Sequence, residues 1–241
     1  MSAQSVALQA ETVERSELTR VQPESGSARG ELSRDQWRTE RMLSIEQTKL
    51  LVHRLFLSIP GPRSVTFAGL LSNSGCTPVM LAAAEMLAVS TNSSICLVDG
   101  NAHNARIHTL YDLASTEGLS DALVNGRPVS KYIQRLHGSS LSILPYGRQP
   151  LLETEKRGRC FWMRDVLRGI SKEFDYVLVD TPALADSSDA ITFSSVVDGI
   201  TLIVQAGKTR RDAASAAVSS LKQSGVNVLG AVMTSPRTLS E

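Results

Sequence analysis

A loop of small residues, Leu70-Leu71-Ser72-Asn73-Ser74-Gly75-Cys76-Thr77, runs into a stretch of helical character, and Pro78 falls where a first helical turn tolerates a residue without an N–H. A helix start exposes unpaired N–H groups and a partial positive charge, so such a loop can hold an anion through its backbone alone. Two carboxylates stand at comparable places further along. Asp99 closes the apolar run Ser94–Asp99, and Asp180, followed by Thr181-Pro182, closes the run Tyr176–Asp180. If both runs are parallel strands, their carboxyl ends meet beside the helix start, and the set would suit a magnesium–phosphate group. Either Asp alone is as well explained by capping the next helix or by exposure to water.

The elements needed to bring these residues together are visible as alternating patterns. Ser64–Leu70, Ser94–Asp99, Leu141–Tyr146, Tyr176–Asp180, Gly199–Gln205 and Val226–Met233 read as strands, several of them continuously apolar, as expected when helices cover both faces of a sheet. Helices are expected between them at Thr77–Val89, Phe161–Lys172, Ser187–Val196 and Thr209–Gln223. The alternation predicts an α/β fold, a mainly parallel sheet with helices on both faces, over residues 63–235. Ahead of it, residues 37–62 predict an amphipathic helix, with Leu43, Leu50, Leu51, Leu55 and Phe56 at three- and four-residue spacings and Pro60 and Pro62 behind them. Residues 1–36 hold no Phe, Trp, Tyr or Ile and are expected to form a disordered tail, because they cannot bury enough apolar surface to offset the entropy of ordering.

Composition removes several classes of function. Of the 241 residues, 42% are hydrophobic and 20% charged, and 25 Lys+Arg against 24 Asp+Glu leave a net charge of +1. No global field draws this chain to a polyanion, so no nucleic-acid partner is expected. Cys76, Cys96 and Cys160 are odd in number and too widely spaced for a zinc or redox motif, which fits a reducing compartment. The first residues lack a basic start followed by an apolar stretch, and the run PVMLAAAEMLAV is interrupted by Glu85 and too short to span a bilayer. The expectation is a soluble, unprocessed, cytoplasmic protein.

The order of the small-residue loop, LVDGN, EGLSDALVNG, LSILPYG, FDYVLVDTPAL, VVDGITLIVQAGKTRRDA and GVNVLGAVM resembles the cytoplasmic tyrosine kinases of bacterial capsule and exopolysaccharide synthesis, from about Glu46 to Met233. Those kinases belong to the partition-type and septum-positioning P-loop ATPases. The resemblance implies a P-loop NTPase-like fold of the partition-ATPase type over 63–235. It implies ATP and Mg2+ as cofactors, with Ser74, Gly75, Cys76, Thr77 and Asn101 at the nucleotide and Thr77, Asp99 and Asp180 at the metal, Asp99 and Asp180 being the catalytic carboxylates if activity persists. It also implies a membrane-embedded polysaccharide chain-length regulator as partner, recruitment to the inner face of the plasma membrane by protein contacts, and homo-oligomers through Glu46 and Lys49.

The departures from the family pattern bear on activity. Where the family resembles P-G-x-G-K-[ST], this chain reads Ser72-Asn73-Ser74-Gly75-Cys76-Thr77, with a thiol in place of the phosphate-binding lysine. A thiol cannot neutralise phosphate charge or follow it in the transition state. Asn73 replaces a glycine of free φ. Where the family resembles D-x-D-x-R, this chain reads Asp99-Gly100-Asn101-Ala102-His103, an amide and an imidazole for the second carboxylate and the arginine. Val177-Leu178-Val179-Asp180-Thr181-Pro182 is intact. The helix keeps part of E-x-x-R-x-x-R as Glu46-x-x-Lys49-x-x-Val52, and the family's terminal tyrosine cluster has no counterpart in MTSPRTLSE.

The first functional reading is a degenerate kinase-like protein of polysaccharide synthesis, docking to or regulating the chain-length and export machinery, with nucleotide binding and phosphoryl transfer weak or lost. The alternative is an active tyrosine kinase or ATPase with a variant loop, in which Lys208, Arg210 or Arg211 supplies the missing charge. A third possibility gives Cys76 a reactive thiolate favoured by the helix start.

Overall fold

The computed structural model describes residues 43–113, 116–149 and 156–235, with the side chains of residues 156–161 left out. The expected disordered segment over 1–36, the first part of the helix expected over 37–62, and the side chain of Cys160 lie outside these residues.

Helix α1, Ile45–Phe56, begins where Ser44 accepts the Gln47 N–H at 3.2 Å and Gln47 returns the bond to the Ser44 N–H at 2.8 Å. This reciprocal cap satisfies two orphan donors and sets the start later than the apolar spacing predicts. The buried face is Thr48, Val52, Leu55 and Phe56, and Leu50, expected on it, is 49% exposed. Glu46 and Lys49 pair with each other at 2.9 Å on the exposed side.

Strand β1, Ser64–Gly69, is followed by α2, Cys76–Thr91, and β2, Ile95–Asp99. Helices α3, Ile107–Leu110, and α4, Leu119–Asn125, precede the short β3, Gln134–Arg135, and β4, Leu141–Leu144. Then come α5 (Lys156–Glu173), β5 (Tyr176–Asp180), α6 (Asp189–Ser194), β6 (Gly199–Gln205), α7 (Arg211–Gln223) and β7 (Val228–Thr234). Among the described residues the strands form one sheet in the order β3-β4-β2-β5-β1-β6-β7, parallel throughout except for β3 on β4.

Period-2 alternation divides the core between the two faces. Leu97 of β2 and Leu178 of β5 join the cluster under α1 and α2, while Cys96, Val98, Val177 and Val179 join the one under α5. Cys96 is thus a core residue whose thiol burial pushes upward in pKa. Helix α2 carries alanines at 82, 83 and 84, which let its backbone approach the sheet closely while α1 covers its outer side.

Three expectations need correction. Strand β4 stops at Leu144 rather than Tyr146, because the Pro145 and Tyr146 carbonyls accept the N–H groups of Leu119 and Ser120 at the start of α4. That helix went unread, being too short to show a period. Strand β7 starts at Val228, the Val226 N–H being taken by the Leu221 carbonyl at the end of α7.

Gly100, immediately after β2, is boxed in by α6 and β5: a Cβ there would sit 2.7 Å from the Phe193 ring and 2.8 Å from the Asp180 carbonyl oxygen. Gly100→Ala should therefore destabilise the protein by about 1–3 kcal/mol through forced displacement of both neighbours, read as a lower urea midpoint at unchanged slope.

Candidate functional site

The loop between β1 and α2 is held from both sides. The Leu70 N–H donates to the Ile203 carbonyl at 2.9 Å, and the Leu184 N–H donates to the Gly69 carbonyl at 2.9 Å. Thr234, buried at the end of β7, donates its hydroxyl to the Ser74 carbonyl at 2.8 Å, and the Ser72 hydroxyl bonds to Asp186. Within this frame Asn73 and Gly75 take positive φ, 60° and 85°, turning the chain into α2. Asn in place of glycine is accommodated because Asn tolerates the left-handed region. Gly75 offers no side chain to cap α2 and the first turn holds no acid, so the first N–H groups keep their positive potential.

Beneath this loop lie the two carboxylates, both buried. Asp99 and Asp180 are register partners on neighbouring parallel strands. Asp180 accepts the Thr77 hydroxyl at 2.6 Å on Oδ2, while its Oδ1 is buried without a hydrogen-bond partner. Asp99 is spent on its own loop: Oδ1 accepts the Asn101 N–H at 3.2 Å, and Oδ2 accepts the N–H groups of Arg106 and Ile107 at 3.0 and 3.1 Å. Burial, reinforced by the neighbouring Asp180 charge, pushes Asp99 up to about 7 against those three bonds. Burial likewise pushes Asp180 up to about 6, opposed first by the Thr77 hydrogen bond. Burial and the Asp180 carboxylate hold the Cys76 thiol well above its ordinary pKa. This counts against the third possibility, a reactive thiolate: the helix start favours the anion, but desolvation and an adjacent carboxylate outweigh it.

Ser74, Gly75, Cys76, Thr77 and Asn101 line one cleft at the carboxyl ends of the strands, with Asp99 and Asp180 below it. Asn101 does not offer its amide oxygen to the cleft freely, since Oδ1 accepts the Asn104 N–H at 3.1 Å. Lys208, Arg210 and Arg211 are exposed and do not line the cleft, and Arg210 is paired with Asp212 at 2.7 Å. The cation on the cleft wall is Arg106, which sequence reasoning missed: it stands seven residues after Asp99, outside the motif window. Asp186 and Thr234, which fasten the loop, were also missed.

The donor set fits a phosphate with magnesium. Thr77 and the unpartnered oxygen of Asp180 would hold the metal, and the N–H groups of the loop and α2 would hold the phosphate, consistent with magnesium's habit of using one or two carboxylates plus phosphate oxygens. When bound, the metal would neutralise phosphate charge; Cys76 adds none.

The family model described as cellulose biosynthesis protein BcsQ matches residues 63–218. The tyrosine-protein kinase YwqD of Bacillus subtilis is 27% identical over 139 residues, 58% of each chain. The tyrosine-protein kinase etk of Escherichia coli is 28% identical over 167 residues, 68% of this chain but only 22% of that protein. The present chain thus spans little more than half of the one relative and under a quarter of the other. The solved kinase domain of the E. coli protein superposes with a TM-score of 0.72 at 23% identity, over 82% of this chain and 77% of that one. The cell division ATPase MinD of Pyrococcus furiosus shares the fold with a TM-score of 0.58 at 20% identity, over 71% of each chain. The mainly parallel P-loop ATPase architecture is thereby shown.

A buried carboxyl with a raised pKa takes up its proton on folding, so its stabilising form is complete below about pH 4 and is lost as pH rises through about 6. Asp180→Asn removes this penalty while leaving an oxygen for Thr77 to donate to. The unliganded variant should melt several degrees above wild type at pH 8, about 1–3 kcal/mol, with the gain vanishing at pH 4; scanning calorimetry at the two pH values checks it.

Proposed function

We propose, since this chain belongs to the cellulose biosynthesis protein BcsQ family, that it is a nucleotide-fold protein of exopolysaccharide biosynthesis in which phosphoryl transfer is weak or lost and the fold serves docking or regulation. The observation that carries this reading is the buried Cys76 thiol, held well above its ordinary pKa by desolvation and the Asp180 carboxylate, where the resembling kinases place the phosphate-binding lysine. Two further parts of the site are also poorly arranged for transfer. Asp99 is occupied by three backbone N–H groups, and a carboxylate so engaged has little left for metal or for a nucleophile's proton. Asn101, where the second carboxylate of the motif would stand, carries no charge and bonds its own turn.

The acceptor side supports the same conclusion. All four tyrosines lie in the described residues: Tyr111 and Tyr132 are buried, and Tyr146 and Tyr176 half-buried. None projects freely for phosphorylation by a neighbour. Among the described residues no helix is long and apolar enough to cross a membrane. Recruitment to the membrane-embedded chain-length regulator would thus go through protein contacts. The exposed side of α1, with Glu46 and Lys49, is available to a second copy of the chain.

Incubated with radiolabelled ATP and magnesium, the protein should incorporate no phosphate and hydrolyse ATP at background. Cys76→Lys should raise nucleotide affinity roughly 10-fold or more in calorimetric titration by restoring a charged contact, and Cys76→Lys with Asn101→Asp should raise it further, because metal and phosphate ligands act as a unit. Robust turnover by the wild type, abolished in Asp180→Ala and untouched in Cys76→Ala, would defeat this reading.

A further inference from the structure

Arg106 is the residue of the cleft that nothing else in the structure explains. Its Nε is buried without a hydrogen-bond partner, and no ion pair to its guanidinium occurs among the described residues. Leaving a charged donor unsatisfied in a desolvated position is costly, and such a cost persists when a ligand relieves it. The backbone that carries the guanidinium is also held in place. Arg106 is the residue before α3, and its backbone N–H is fastened to Asp99 Oδ2 at 3.0 Å, so the carboxylate that resembles a catalytic group anchors the segment carrying the cation.

The surroundings specify what would pair with it. Arg106 and Cys76 line the same cleft, and the Arg106 charge acts on both Cys76 and Asp180. The first turn of α2, which has no side-chain cap, lines the same cleft through Cys76 and Thr77, and Thr77 donates to the carboxylate of Asp180, whose other oxygen lacks a partner. A cation, free N–H groups and a lone carboxylate oxygen around one cleft suit a multiply charged anion with a metal ion between phosphate and carboxylate. A carboxylate-bearing ligand would pair with the arginine but would leave the Asp180 oxygen facing like charge.

We propose that Arg106 is the phosphate-binding cation of this site: it takes the phosphate chain of a nucleoside di- or triphosphate, supplying the charge that Cys76 cannot. This rests on the nucleotide-fold reading above but not on whether the phosphate is transferred. Guanidinium suits the position because its planar fork engages two phosphate oxygens at once. With the cation on the loop after β2 instead of in the first turn of α2, charge neutralisation is separated from the Thr77–Asp180 side of the cleft, an arrangement suited to holding a nucleotide.

The full chain is titrated calorimetrically with ADP and ATP in magnesium, and with magnesium pyrophosphate, for wild type, Arg106→Gln, Arg106→Lys and Lys208→Gln, with melting curves of the unliganded proteins. Arg106→Gln should bind all three ligands roughly 10–100-fold more weakly. Arg106→Lys should fall between it and wild type, keeping charge without the fork, and Lys208→Gln should match wild type. The unliganded melting temperature of Arg106→Gln should stay within a few degrees of wild type, because Arg106 Nε has no hydrogen bond to lose and only its charge near Asp180 is removed; a purely structural role would lower it further. If Arg106→Gln does melt lower, the comparison of Arg106→Lys with wild type decides. Undiminished affinity in both arginine variants, or no binding of any of the three ligands by wild type, overturns the proposal. Phosphate transfer by wild type would instead sink the function proposed above, while a loss of affinity in Arg106→Gln would still uphold the assignment of Arg106.

Discussion

Two buried carboxyls side by side, Asp99 and Asp180 at the ends of adjacent parallel strands, are the constraint around which this site is arranged. Burying one charge is expensive and burying two of the same sign more so, because the interior screens them poorly. The protein can meet this cost by protonating the pair, by hydrogen-bonding it or by bringing up a cation. All three are in use: raised pKa values, N–H and hydroxyl donors on both acids, and Arg106 on the cleft wall.

The two acids have parted in role. Asp99 directs both oxygens into its own chain and thereby shapes the loop leading to α3. Asp180 faces the start of α2 and keeps one oxygen unpaired. A lysine at position 76 would neutralise Asp180; a thiol does not. The loop itself is nevertheless built to a fixed shape, fastened to β6, β7 and the segment after β5. Its geometry is kept while its charge is not. That combination is hard to reconcile with drift to an inert scaffold and consistent with a site that still receives an anion.

Similarity to the tyrosine kinases YwqD and etk lies at 27–28% identity, too little to carry chemistry residue by residue. The fold accounts for the position of the site, since parallel strands place their carboxyl ends and the following helix starts together. Chemistry depends on which side chains stand there, and three of the polar positions in the resembling motifs, at Cys76, Asn101 and His103, differ.

What the sequence determined by itself was the set of elements and the place of the site. Apolar runs, several of them continuous, marked the main parallel strands, and Tyr176–Asp180 and Gly199–Gln205 came out with their observed ends, because a strand buried on both faces has a pattern that needs no distant partner to be recognised. The small-residue loop before Pro78 and the acids closing two strands were equally local. What escaped was decided by contacts between distant residues. Helix α4 was too short for a period and depends on carbonyls at 145 and 146. Which face of α1 is buried was set by packing on α2, and Leu50 falls outside it. The basic residues after β6 looked as eligible for the cleft as any, whereas Arg106 is brought there by a turn that Asp99 holds with backbone bonds. Whether Cys76 is a thiolate or a neutral thiol was likewise settled only by tertiary structure, because a pKa follows from burial and from a carboxylate 104 residues away in sequence, at Asp180.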